Sequence, residues 1–215
     1  MKAEQRTDNY QKWIEEWADR ISRMDQNELL KKLPELNVEG DYLTLFHFHH
    51  KYGVHRLTGE IRSMESEKNP SRNIKLNIYT LLWYCKPFTC LSGQWLPFRS
   101  LKDASPFGPA FQKSVLQVLA QTFSGHVEQL CSACEKLGGT RLPMSDAGYR
   151  LSAFQCIPLK LLFWDGDDEF PAQANILFDK NVTDCIHVES VVTIASECVS
   201  QLAGIAGLPL LGSAF

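Results

Sequence analysis

The chain has little that marks a nucleic-acid-binding, membrane or catalytic protein. It has no basic surplus: 22 Lys and Arg stand against 25 Asp and Glu, for a formal net charge of −3. Proteins that depend on phosphate contacts carry an excess of cations, so no nucleic-acid partner is expected, although a local basic face is compatible with the count. No apolar run reaches the length of a bilayer crossing, and residues 1–8 are polar and charged, unlike a secretory leader. These absences predict a cytoplasmic protein without a membrane partner. Gly-x-Ser-x-Gly, the phosphate-binding P-loop, Gly-x-Gly-x-x-Gly and His-Glu-x-x-His are all missing. So are internal repeats and low-complexity segments.

Cysteine is present but unpaired in number. Cys85, Cys90, Cys131, Cys134, Cys156, Cys185 and Cys198 make seven, scattered mostly through apolar patterns, which reads as reduced thiols rather than a disulfide frame. What the chain does have is core: 215 residues, 44% hydrophobic and 22% charged, enough for one large domain that needs no staples.

Residues 10–33 read as helix. Tyr10, Trp13, Ile14, Trp17, Ile21 and Met24 recur at helical spacing, and Pro34 stops the run. Residues 1–36 are expected to form an N-terminal helical arm that packs on the body or associates with another copy. Residues 37–215 are expected to form a single α+β domain. Residues 42–49 and 52–57 are rich in β-branched and aromatic types and predict a small antiparallel meander. A core helix follows, with Ile74, Ile78, Leu81, Leu82 and Cys85 on one stripe. Pro97 excludes a regular central strand near residue 97. Two more helices, closed at Gly138-Gly139, precede strands at residues 149–154, 157–164 and 174–178. The last helix carries Val188, Val191, Val192, Ala195, Cys198, Val199 and Leu202. The apolar tail, residues 204–215, is expected to lie along a surface, where it is a second candidate for association between copies. The predicted architecture is a mainly antiparallel sheet drawn from both strand-rich regions and flanked by several helices.

The most concentrated chemistry lies between the last two strands. Asp165, Asp167, Asp168 and Glu169 fall within five positions, and carboxylates this close raise one another's pKa unless a cation or donors compensate. A hard cation such as Ca²⁺ or Mg²⁺, a carboxylate pair in acid–base work, or a solvated turn in which Asp side chains satisfy backbone donors would each meet that requirement. The Asp-x-Asp-x-Asp spacing of a calcium loop is absent. The turn is the plainer reading, with Trp164 and Phe170 expected to anchor it.

Trp164-Asp165-Gly166-Asp167-Asp168-Glu169-Phe170-Pro171, followed by Ala174-Asn175-Ile176-Leu177-Phe178-Asp179, resembles the signature of the domain-of-unknown-function family numbered 3786. Leu91-Ser92-Gly93-Gln94-Trp95-Leu96-Pro97-Phe98-Arg99, Leu137-Gly138-Gly139, Asp146 and the final helix with Glu189 add to the likeness, which covers residues 41–202. The resemblance implies a prokaryotic, anaerobe-associated, intracellular domain with no assigned activity. Some relatives in that family carry an N-terminal cysteine-rich iron–sulfur module. No cysteine precedes Cys85 here, so that role does not transfer.

Two further clusters compete with structural explanations. His47, His49, His50 and His55 offer imidazoles for a transition metal or proton transfer, against ordinary half-buried strand residues. His47 and His49 share a strand face. His55 joins His47 if the loop between the strands has three residues, and is separated from it if the loop has two. Cys131-Ser132-Ala133-Cys134 is formally a C-x-x-C, but it falls mid-helix on the apolar face, where core packing explains it better. Arg99, Arg141 and Arg150 could pair with the acidic loop or hold an anion.

The leading reading is a non-catalytic accessory module that binds a small ligand, cofactor or partner protein, with Trp95 and Arg99 beside Asp165, Asp167, Asp168 and Glu169. Its rivals are a carboxylate-dependent enzyme or divalent-metal protein using the acidic loop, and an imidazole metal site at His47, His49 and His55. The sequence leaves the cofactor open.

Overall fold

The computed structural model of the chain describes residues 2–212, with side chains from Tyr10 onward. The N-terminal stripe forms helix α1 (Lys2–Ser22), and Asp25 then caps α2 (Gln26–Lys32) by accepting from the Asn27 and Glu28 amides. Four short strands follow: β1 (Asn37–Glu39), β2 (Tyr42–His47), β3 (His50–His55) and β4 (Ile61–Ser63). Helix α3 (Arg72–Tyr84) begins at Ser71, whose hydroxyl accepts from the Ile74 amide. Strand β5 (Trp95–Pro97) leads to α4 (Gly108–Phe111), a π-helical turn (Gln112–Leu116) and α5 (Gln117–Phe123), and then to α6 (Val127–Lys136). The chain continues through β6 (Thr140–Arg141), β7 (Ala147–Phe154), β8 (Ile157–Trp164) and β9 (Gln173–Asp179) to α7 (Val182–Cys185) and α8 (Val188–Ala206).

The fold is α+β with antiparallel pairing throughout, and its strands divide into two sheets, β1-β2-β3-β4 and β5-β9-β8-β7-β6. The reason lies at the β2–β3 turn. Phe48 (φ 45) and His49 (φ 68) both adopt left-handed backbone, the two-residue geometry whose twist matches its flanking strands. Neither is the Asn or Gly that normally announces such a turn. The Phe48 ring, 1% exposed, is driven into the core. Its amide donates to the Ala153 carbonyl at 3.1 Å, beside the bulge between Ser152 and Phe154 of β7. The first sheet therefore meets the second at a corner instead of extending its ladder. Pro97 sits on edge strand β5, where a missing N–H costs no ladder bond.

The arm joins the same core. Trp17, Ile21, Leu29, Leu33 and Leu36 are buried in one cluster with the strands and α3. Trp17 stacks on Tyr79 (6.4 Å, 8°) and meets Trp83 edge-on. Gly59 makes that docking close: a Cβ there would lie 2.0 Å from the Ala18 carbonyl oxygen, and its own carbonyl accepts from the Tyr79 hydroxyl at 2.9 Å. Tyr10 and Trp13 stay exposed on the outer half of α1.

One expectation about apolar length needs correction. Helix α8, at mean hydropathy 1.2 over 19 residues, is long and apolar enough to cross a bilayer by composition. Its stripe of Val191, Ile194, Ala195, Cys198 and Leu202 is fully buried against the protein, as befits a core helix. Gly207 (φ 71) closes it, with the Leu208 amide donating to Ala203. The tail then runs over α5, where the Leu211 amide donates to the Thr122 hydroxyl at 3.0 Å. Residues 213–215 lie outside the described residues.

Candidate functional site

The acidic loop spends its best-placed carboxylates on its own backbone. Asp167 Oδ1 accepts from the amides of Glu169 (2.8 Å) and Phe170 (2.7 Å), while its amide donates back to the Phe170 carbonyl. Those two donors hold the Asp167 carboxyl below its ordinary value. Asp165 Oδ1 accepts from Gly166 (2.8 Å) and from Gly125 (2.9 Å), tying the loop to the α5–α6 turn, and its amide donates to Asp146 Oδ2 at 2.8 Å. Asp168 and Glu169 point to solvent. Trp164 (40% exposed) and Phe170 (62%) do not anchor the loop, contrary to expectation, because the aspartates do so through backbone donors.

A carboxylate that sequence reading passed over is more deeply set. Asp179, 2% exposed at the end of β9, accepts from the Ser92 amide (3.0 Å), the Ser92 hydroxyl (2.9 Å), the Gly93 amide (2.8 Å) and the Asn181 amide (2.9 Å). Burial opposes the charge and these four donors outweigh it, so its pKa falls. The Leu91-Ser92-Gly93 turn and the end of β9 are thus one latch, which pins β5 to β9. An acid closing an otherwise apolar run, Ile176-Leu177-Phe178-Asp179, was the available signal.

That latch sets where β5 stops. Pro97 pairs with Leu177, so residues 173–176 have β8 on one side and no described strand on the other. A cleft of about 690 Å³ opens into the gap, within the size range of small-molecule sites. Phe98 and Phe111, each 2% exposed and stacked at 4.2 Å and 5°, form its apolar base. Gln112 and Gln117, on the π turn and α5, face Gln173 and Asn175 of β9 across it. π turns recur at functional sites because they displace side chains from the regular helical register. Arg99 also lines the cleft; it is the one charged residue among the described lining, and no described residue pairs with it.

The family model titled Domain of unknown function (DUF3786) matches residues 28–201. The chain belongs to the DUF3786 family. No curated protein and no solved structure matches it.

The geometry separates the residues that sequence reading grouped in this DUF3786 domain. Arg99 lines the cleft, whereas Asp165, Asp167, Asp168 and Glu169 do not. Trp95 faces away from it, on the side of the second sheet that carries Lys160 and Arg150; Lys160 Nζ lies 4.4 Å and the Arg150 guanidinium 5.9 Å from its ring centre. Arg141 is used inside the fold, donating to the Asp146 carbonyl, the Tyr149 hydroxyl and the Cys131 sulfur.

The imidazoles are likewise dispersed. The two-residue loop pairs His47 with His50 and Tyr42 with His55, which places His47 and His55 on opposite faces. His47 is fully buried, stacked on Phe154 at 4.5 Å, and its Nδ1 lies 2.8 Å from the Ala153 carbonyl, with Asn77 Nδ2 3.2 Å from Nε2. A carbonyl only accepts, so the proton is on Nδ1. Burial lowers the His47 pKa to about 4. His49 lies on the turn, exposed, its ring against Gly138. His55 Nδ1 faces the Thr58 amide and hydroxyl. Among the described residues no three His, Cys, Asp or Glu side chains are grouped as a metal ion requires. Cys134 is buried against α8, with burial and Cys198 pushing its thiol well up, as a core thiol should be.

Proposed function

We propose that this domain is a non-catalytic accessory module of the prokaryotic cytoplasm that binds a small anionic ligand in the cleft between β9, Arg99 and the α4–α5 helical stretch. One observation carries the reading: an exposed guanidinium without a partner among the described residues lines a 690 Å³ cleft with an aromatic base. The ligand's carboxylate or phosphate takes the planar fork of Arg99, which matches either group bidentately. Its apolar part lies on Phe111. The carboxamides of Gln112, Gln117, Gln173 and Asn175 supply donors and acceptors for its remaining polar atoms.

The carboxylate-dependent enzyme draws no support from this geometry, because the loop acids stand outside the cleft and two of them are bonded to backbone amides. A thermal-shift screen with organic acids, phosphorylated metabolites and nucleotides tests the proposal. A ligand present at 100 times its Kd adds about 2.7 kcal/mol, which raises Tm by roughly 5–10 °C in a chain of this size. Arg99→Gln should abolish the shift while leaving the unliganded Tm in place. An equal shift in the variant, or none from any anion in the wild type, rejects the reading.

A further inference from the structure

A second cavity, of about 680 Å³, lies between β3, the loop after β4, the start of α3 and the end of α8, and shares no lining residue with the Arg99 cleft. Helical spacing puts Ile194, Glu197, Gln201 and Ile205 in one row of α8, so an acid and an amide interrupt an otherwise apolar stripe. Glu197 is 6% exposed. The Gln201 Nε2 donates to its Oε1 at 3.0 Å, and the Ser71 hydroxyl, which also caps α3, donates to its Oε2 at 3.2 Å. Both donors are neutral. No Lys, Arg or His among the described residues forms an ion pair with Glu197. Taking a carboxylate out of water is costly unless a counter-charge stands against it. The fold supplies none, and this acid lines an open cavity.

A second side chain on the same wall is left equally incomplete. Tyr52 of β3 is 6% exposed and lines the cavity, yet its hydroxyl has no hydrogen-bond partner among the described residues. Buried tyrosine hydroxyls usually find one. Burial, with the charges of Glu197 and Glu65, raises its pKa to about 12, so it stays a neutral phenol. Gln201 Oε1 is buried without a partner as well. Glu65, by contrast, is already engaged, with His50 Nδ1 at 3.0 Å and the Lys51 amide at 2.9 Å. Pro70, Ile74 and Ile205 supply an apolar wall.

We propose that this cavity binds a primary alkylammonium ion, with Glu197 as its counter-charge, the Tyr52 hydroxyl and Gln201 Oε1 as further acceptors, and Pro70, Ile74 and Ile205 against its carbon chain. An ammonium carries three donors and no acceptor, which matches one unpaired carboxylate beside two unpartnered oxygens. The site is within the size range of small-molecule pockets. It does not suit a metal ion, since no three His, Cys, Asp or Glu side chains are grouped among the described residues. Exposed Lys68 is the chain's own ammonium on this lining and makes no ion pair among the described residues, so it competes with the ligand instead of holding it.

Isothermal titration calorimetry on the full chain tests this with n-pentylamine, cadaverine and tyramine, using n-pentanol as the uncharged control. Saturable binding of at least one amine, one per chain, with none of the alcohol, is expected. Nα-acetyl-lysine amide is a further arm: tighter binding than any free amine assigns the ammonium to a lysine side chain, and weaker binding to a free metabolite. Glu197→Gln keeps the shape and removes the charge, so it should abolish binding with the unliganded Tm kept or raised. Tyr52→Phe keeps the ring and removes one acceptor of a charged donor, so it should weaken binding roughly tenfold or more; it decides the matter if Glu197→Gln fails to fold. Lys68→Ala should bind at least as tightly as the wild type. Absence of binding by every amine, equal binding of n-pentanol, undiminished affinity in Tyr52→Phe, or loss of binding in Lys68→Ala overturns the proposal.

Discussion

Acidification should unfold this protein partly through one buried imidazole. The folded state holds His47 neutral, with its Nδ1–H donating to Ala153 and its ring stacked on Phe154. Burial lowers its pKa from 6.5 to about 4. An unfolded chain takes up a proton at His47 near the higher value, and the folded chain only near the lower one. Between the two, the unfolded state binds more protons, so stability falls as pH drops. At 1.36 kcal/mol per pH unit the gap corresponds to about 3 kcal/mol, lost between roughly pH 7 and pH 4. Urea denaturation followed by tryptophan fluorescence at pH 7, 6, 5 and 4, on wild type and His47→Gln, reads this directly. Glutamine retains a donor and an acceptor but cannot charge. The variant should start less stable, having lost the ring stack, and should then lose about 3 kcal/mol less than the wild type over the same range. Glu35 works in the opposite sense, since its raised pKa gives stability that is lost as pH rises, and it is common to both proteins. Asp167 and Asp179, held below 3.8, lose their contribution only at lower pH. Parallel loss in wild type and variant would refute the assignment to His47.

Asp179→Asn should destabilise by about 1–3 kcal/mol, because three backbone amides lose a charged acceptor in a buried setting; hydrogen exchange should quicken first at Ser92 and Gly93, and unchanged exchange there would dismiss the latch. Gly59→Ala forces a methyl against the Ala18 carbonyl at a left-handed position (φ +71), so it should cost at least about 1 kcal/mol. It should also loosen α1 from α3, read as a shift in Trp17 emission; a neutral substitution would contradict the close docking. Asp167→Ala should lower Tm and Asp168→Ala should not, because only the former accepts amide bonds within the loop. Equal melting points would mean that the turn stands without its side-chain acceptor.

Composition and periodicity were enough to establish the α+β class, the N-terminal helix, the core helices and the strands of the β7–β9 region. Those features follow from local patterning, where Trp17 and Ile21 or Leu159 and Leu161 already show which face must leave water. The DUF3786 signature was legible too, and its acids match the plainer reading as a turn, since Asp167 accepts from amides two and three residues on; the bond from the Gly125 amide to Asp165, forty residues away, is what no linear reading places there. The turn at Phe48 and His49 was equally hidden, since its left-handed backbone is held by a ring packed in the core and by Ala153 more than a hundred residues away.

Only the tertiary structure decided which distant residues meet. Arg99, Phe111, Gln117 and Asn175 line one cleft because β5 ends at Pro97 and leaves the edge of β9 open. Lys86 and Asp184 are nearly a hundred positions apart in sequence, yet the Lys86 amide donates to the Asp184 carbonyl. A residue's own chemistry and its local period are written in the chain. Which long-range neighbours satisfy its charges and hydrogen bonds depends on how sheets and helices close on one another, and that closure decided which acids, thiols and imidazoles are structural and which remain available for function.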